Sequence, residues 1–132
     1  MKLYITPTQE KLNGYLHGSD PNLSQYMNGE IEEILSPHLV NLVEFELLGP
    51  LMKQWFDKLQ LNGLLKIGGY DAVEFAKLLF TYRLSPEERN NLIKNSKCFL
   101  DMSEVQSILK KAGFQIKAKK LEGMYYYFEC AK

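Results

Sequence analysis

The chain has 132 residues, 45% hydrophobic and 24% charged, enough for one substantial core and too few for two. Sixteen basic residues balance sixteen acidic ones, so the overall positive field that would favour nucleic acid is missing. No run approaches the ~18 apolar residues that span a bilayer, and no basic region followed by an apolar stretch marks a secretory leader. The expectation is a single cytoplasmic domain over residues 1–132 that crosses no membrane.

In chain order, "KLYI" (residues 2–5) is the first predicted strand, ended by Pro7 in "TPT", and "GYLHG" (14–18) is the second. "LSQYMNGEIEEIL" (23–35) carries a helical pattern interrupted by "NG" and closed by Ser36 and Pro37. "HLVNLVEFELL" (38–48) is a continuous apolar run with β-branched members and reads as a strand buried on both faces. In "GPLMKQWFDKL" (49–59) the spacing of Leu51, Trp55 and Leu59 predicts a helix that starts at Pro50 and buries Trp55.

"NGLLKIGG" (62–69) is the next strand. Three helix starts follow, each an acid or serine with glutamate three residues on: Asp71 with Glu74, Ser85 with Glu88 and Pro86, and Asp101 with Glu104. Gly113 caps the last of these helices, and "FQIKAKK" and "MYYYFECAK", joined by "LEG", form a hairpin. Alternating strands and helices ending in a hairpin imply an α/β fold, with a mostly parallel sheet and an antiparallel C-terminal edge.

The chemistry-bearing residues are sparse. Cys98 and Cys130 form no CxxC pair and read as free thiols in a reducing compartment, with no metal site. His17 and His38 stand alone, without a GxSxG elbow or an HxxxH spacing, so hydrolase and metalloenzyme readings fall away. Glu44 and Glu46 either contact a ligand at the sheet's carboxyl edge or are simply solvated; Asp71 either contacts a substrate or caps its helix. The lysines between Lys110 and Lys120 suit the end of a helix, and no basic cluster interleaves "YYYF", so a nucleic-acid partner is the least supported reading.

Several phrases resemble the class I S-adenosylmethionine-dependent methyltransferases, in particular their small forms. "KLYITPTQEKLNGYLHGSD" is similar to that group's opening, in which a strand meets a glycine loop and "KLPGY" leads to a second strand ending in aspartate. "WFDKLQLNGLLKIGGYD" resembles its "LKPGG" region, and "VQSILKKAGFQI" its C-terminal helix and "AGF" turn. The resemblance spans nearly the whole chain and implies a Rossmann-like methyltransferase fold of minimal size, with S-adenosylmethionine as cofactor.

The departures cluster at one pocket. Where the family has glycines in the first loop, this chain has Thr6, Pro7, Thr8 and Gln9. The family's ribose-binding acid falls at Ser19, with Asp20 one residue later, and the place of its "LEH" is assigned to "LLGP" at Leu47 to Pro50. The resemblance thus offers Thr6, Thr8, Ser19, Asp20, Glu44 and Glu46 as cofactor contacts and Asp71 as a substrate contact, in either a degenerate site serving binding or assembly, or an active enzyme holding the cofactor in an unusual pose. A lost pocket leaves apolar surface to cover, so self-association or a protein partner is expected, through an edge strand or the "YYYF" hairpin.

Overall fold

Four strands run parallel: β1 (Lys2–Ile5), β2 (Leu16–Gly18), β3 (Ile31–Ser36) and β4 (Leu59–Tyr70). The hairpin β5 (Gln115–Glu122) and β6 (Tyr125–Ala131) joins the sheet through β6, antiparallel to β4, and gives the order β2-β1-β3-β4-β6-β5. Four helices complete the architecture: α1 (Phe45–Lys58), α2 (Ala72–Phe80), α3 (Pro86–Asn95) and α4 (Met102–Ala112). This computed structural model describes residues 1–132. None of its helices is long and apolar enough to cross a membrane.

Local chemistry sets the helix ends as expected. Ser85 and Asp101 close reciprocal capping boxes with Glu88 and Glu104, and Asp71 accepts the Glu74 N–H. Gly113 ends α4 at φ +113°, a left-handed conformation that suits glycine.

Two segments differ from expectation. Residues 23–35, predicted helical, hold no helix: 23–30 are turns and irregular chain, and Ile31–Ser36 form β3. The apolar positions Ile31, Ile34 and Leu35 fit a helical period, but parallel pairing to β1 on one side and β4 on the other overrides that local preference. The run 38–48, predicted as a strand buried on both faces, instead makes a single 3-10 turn at Val40–Leu42 and then the first turn of α1. Leu39, Val43, Leu48, Met52 and Trp55 are buried at three- to five-residue intervals, so the continuous apolar run hides a helix approach. Pro50 lies inside α1 rather than at its start, where it forgoes one intrahelical hydrogen bond.

The core lies on one face of the sheet. Leu3, Ile34, Leu65 and Cys130 are successive register partners, and all belong to one cluster of 23 buried residues closed by α1 and α4. From α1 this cluster takes Leu48, Met52 and Trp55, and from α4 Val105, Leu109 and Ala112. The alternate residues form the other face: Lys2 and Tyr4 of β1, Glu33 and Leu35 of β3, Lys66 of β4, Tyr127 and Glu129 of β6 and Lys120 of β5. None of them is in the core cluster. A mostly parallel sheet ordinarily has both faces covered by helices. Here the chain between β1 and β2 forms no helix, and it reaches the second face only as a loop.

Candidate functional site

Strand order reverses between β1 and β3, because β1 leads outward to β2 and β3 leads to β4 on the other side. In open α/β sheets the crevice above such a switch, at the carboxyl ends of the strands, is where ligands bind. The residues there are Thr6 after β1, Gly18 and Ser19 at the end of β2, Ser36 at the end of β3, and Tyr70 and Asp71 at the end of β4.

Thr6, Thr8, Ser19 and Asp20 are brought together at the ends of β1 and β2. Thr6 is fully buried; its N–H donates to the Gly18 carbonyl (3.1 Å) and its Oγ1 lies 3.3 Å from Thr8 Oγ1. His17 Nε2 sits 2.8 Å from the Thr8 carbonyl oxygen, which ties the first loop to β2. Asp20 Oδ1 accepts the N–H of Asn22 (2.9 Å) in a local turn, and with Ser19 it lines a cavity of about 280 Å³ at the β2 edge of the sheet.

The remaining sequence-predicted residues lie elsewhere. Glu44 is the exposed N-cap residue of α1, and Glu46, also exposed, lines a separate cavity of about 390 Å³ between α1 and α4. Neither is in a strand, which corrects the placement in a strand buried on both faces, and solvation accounts for both charges. Asp71 is 4% exposed with both oxygens engaged: Oδ2 accepts the Glu74 N–H (3.0 Å) and Oδ1 the Met102 N–H (2.7 Å). One carboxylate thus holds the N-termini of α2 and α4 together.

The segment Leu47–Pro50 also lies within α1; the chain that leaves the carboxyl end of β3 is Pro37 to Leu42. That segment contains Asn41, which sequence reasoning passed over. Asn41 is buried, accepts the Tyr70 N–H through Oδ1 (2.8 Å) and donates through Nδ2 to the Cys98 carbonyl (3.1 Å), while its own carbonyl accepts the Lys97 N–H (2.6 Å). A single amide therefore stitches the end of β4 to the chain before α4. The signal for it was one polar residue at the centre of "LVNLV".

Asn41 lines a crevice of about 310 Å³ together with Pro7, His38, Tyr70 and the α3 residues Asn91 and Asn95. Tyr125 backs the wall: its ring is 6.1 Å from that of Tyr70 and 5.8 Å from that of His38, and its hydroxyl donates to the Pro37 carbonyl. Burial pushes the Tyr125 hydroxyl up to about 12, so it stays a neutral donor at physiological pH. Close by, a Cβ on Gly69 would come within 2.6 Å of the Tyr126 hydroxyl and 2.7 Å of Asn41 Oδ1, so only glycine lets these groups approach.

On the second face of the sheet, Glu33 is 5% exposed. Its carboxylate accepts hydrogen bonds from Tyr15, in the loop after β1, and from Lys66 (3.0 Å). Burial alone would raise the Glu33 carboxyl, but the bonds from Tyr15 and Lys66 and the charges of Lys66 and Lys2 outweigh it and hold it below the usual carboxylate range.

No family model matches the sequence, and no curated protein matches it. Solved structures do. A SAM-dependent methyltransferase of Archaeoglobus fulgidus superposes with a TM-score of 0.67 at 14% identity, over 90% of this chain and 68% of that one. One from Thermotoga maritima gives 0.64 at 18%, over 89% and 63%, and one from Mesorhizobium loti gives 0.65 at 12%, over 89% and 68%. This chain therefore spans 63–68% of the length of these three proteins. At identities of 12–18% the likeness is one of fold, and the chain has a class I methyltransferase-like fold.

Proposed function

We propose that this chain is a non-catalytic scaffold: it keeps the methyltransferase-like fold, does not bind S-adenosylmethionine, and uses its helix-free sheet face to hold a second copy of itself. One observation carries both halves, namely that no helix lies between β1 and β2. The residues at the end of β1 do not fit the cofactor. Pro7 removes a backbone donor, the Thr6 and Thr8 side chains pack on each other where bare backbone would be needed, and no helix N-terminus follows to complete a cradle. Asp20, the acid available for a ribose, is bonded in its own turn.

The same missing helix leaves the second face covered only in part, by the loop after β1 over Tyr4 and Glu33. That face carries Lys2, Lys66 and Lys120 against Glu33, Glu122 and Glu129, so its charges balance and a twofold-related copy meets attraction rather than repulsion. Half-buried Tyr125 and Tyr127 add the aromatic surface that interfaces favour. Sedimentation velocity tests this reading: the wild type should run as a dimer and the double variant Lys120→Glu, Tyr127→Glu as a folded monomer, whereas Lys117→Glu on the β5 edge should leave the dimer intact. A wild-type mass of one chain at submillimolar concentration would reject it.

A second reading, an active S-adenosylmethionine-dependent methyltransferase with an unusual cofactor pose, is favoured by the crevice retained at the switch point. Methyl transfer relies mainly on positioning, so it does not need a dedicated catalytic base.

A further inference from the structure

Asparagine is followed by glycine at three places, Asn13–Gly14, Asn28–Gly29 and Asn62–Gly63. Such a pair is chemically labile, because glycine has no side chain to hinder attack of its own nitrogen on the preceding side-chain amide. The attack needs three things that the fold grants or withholds: an N–H open to solvent base, a nitrogen not held in a hydrogen bond, and backbone free to bend towards the amide.

Two of the pairs are locked. The Gly29 N–H donates to the Asp57 carbonyl (3.1 Å), and the turn around it is pinned at both ends, since the Met27 N–H donates to Glu30 Oε2 (2.7 Å) and the Glu30 N–H to the Met27 carbonyl (3.2 Å). Gly63 is buried within β4, where a Cβ would meet the Gln60 carbonyl oxygen at 2.8 Å and the Glu32 carbonyl oxygen at 3.2 Å, so its backbone has no room to move. Asn13–Gly14 differs on every count. Both residues are exposed in the loop between β1 and β2, a Cβ on Gly14 would have nothing within 4 Å, and the Gly14 N–H donates to no backbone carbonyl. The bond from the Tyr15 N–H to the Leu12 carbonyl (3.1 Å) bends the chain at this pair without engaging the Gly14 nitrogen.

We infer that Asn13 is a site of spontaneous, one-way modification with water as co-reactant, and that its conversion unlocks the loop over the second face of the sheet. The Gly14 nitrogen loses its proton to solvent base and attacks the Asn13 side-chain carbonyl carbon. The new C–N bond closes a cyclic imide, and the side-chain nitrogen takes up a proton from solvent and leaves as ammonia. Water then adds to either imide carbonyl and breaks that carbonyl's bond to nitrogen, giving aspartate, or isoaspartate, in which the backbone runs through the former side chain and is one carbon longer. Tyr15, two residues on, hydrogen-bonds Glu33. Lengthening the chain inside the Leu12–Tyr15 turn opens that turn and draws the Tyr15 hydroxyl away from Glu33. This goes beyond the scaffold reading and does not need a second copy of the chain.

The test is incubation of the full chain at mildly alkaline pH, with peptide mapping by mass spectrometry at successive times. Conversion is expected first at Asn13, at least about fivefold faster than at Asn28 or Asn62, the factor that one hydrogen bond on the attacking nitrogen supplies. The urea-unfolded chain should convert all three pairs at similar rates. Asn13→Gln should remove the early conversion and leave the other two rates unchanged; position 13 is exposed, so the variant should fold. The isoaspartate form, separated by chromatography, should unfold at a lower urea concentration than Asn13→Asp, which carries the same charge on a normal backbone. First conversion at Asn28 or Asn62, equal rates at all three pairs in the folded chain, or no conversion at Asn13 over the time in which the unfolded chain converts it would each overturn the site, and equal urea midpoints would overturn the unlocking. Conversion at Asn13 in a chain that sediments as a monomer would reject the dimer alone and leave this site standing.

Discussion

The Lys66 ammonium lies 3.0 Å from the Glu33 carboxylate on the one face of the sheet that no helix covers. Tyr15 reaches the same carboxylate from the loop after β1, and Lys2 lies 5.9 Å above the Tyr15 ring. A loop and an ion pair thus do the local work of the helix that a parallel sheet would normally have at this place.

That arrangement predicts a pH dependence. The Glu33 carboxyl is depressed in the folded chain, so its stabilisation is present above the ordinary glutamate value of about 4.3 and is lost as pH falls through the folded value. Replacing Glu33 with Gln should cost about 2 kcal/mol at neutral pH. The gap between wild type and variant should shrink in urea titrations carried out progressively below pH 4.3. An equal gap at neutral and acid pH would mean that the carboxylate's charge contributes nothing.

Asp71 should behave as a double cap. Because its two oxygens hold the first turns of α2 and α4, Asp71→Ala should lower stability by about 2–3 kcal/mol, near the sum of two caps. Asp71→Asn should recover part of that, since an amide keeps a single acceptor oxygen. Chemical denaturation monitored by tryptophan fluorescence reads both, and a loss below half a kcal/mol would contradict the double cap.

Tyr126 and Gly69 are coupled. The Tyr126 hydroxyl is buried without a hydrogen-bond partner, so Tyr126→Phe should be neutral or stabilise by about 1 kcal/mol. By contrast, Tyr125→Phe should destabilise, because the Tyr125 hydroxyl bonds the Pro37 carbonyl. Gly69→Ala should be strongly destabilising, and in the Tyr126→Phe background its cost should fall but not vanish, since Asn41 Oδ1 still blocks the new methyl. A double-mutant cycle by thermal denaturation measures the coupling.

Both cysteines are buried, and burial pushes the Cys130 thiol up to about 12. Alkylation should therefore be slow in the native chain and fast once it unfolds. In the unfolded state the thiol ionises near 8.5, so the folded state holds the extra proton above that pH and stability falls as pH rises. Cys130→Ala should flatten the alkaline limb of the stability profile; an unchanged limb would point to other groups.

Much of the fold was legible because its signals are local. The three helix starts at Asp71, Ser85 and Asp101, the cap at Gly113, the strands "KLYI" and "NGLLKIGG" and the terminal hairpin all follow from neighbouring residues. The strand at Ile31–Ser36 was hidden because Glu33, an acid at a buried position, is satisfied by Tyr15 and Lys66, which are distant in sequence. The helix over 49–59 was legible, but its first turn at Phe45–Gly49 was hidden by the valines before it and by Pro50, which suggested a strand and a helix start. The candidate site was only partly legible: Thr6, Thr8, Ser19 and Asp20 do gather at the ends of β1 and β2, but the crevice beside them is framed by Asn41, Asn91 and Asn95, whose amides carry no sequence motif.

Calorimetric titration of the purified chain with S-adenosylmethionine and S-adenosylhomocysteine tests most directly the proposed loss of cofactor binding. A non-catalytic scaffold should give no saturable heat with either ligand at millimolar concentration. Saturable binding with one site per chain, weakened by Thr8→Trp or Ser19→Trp at the ends of β1 and β2, would contradict it and restore the reading of an active methyltransferase.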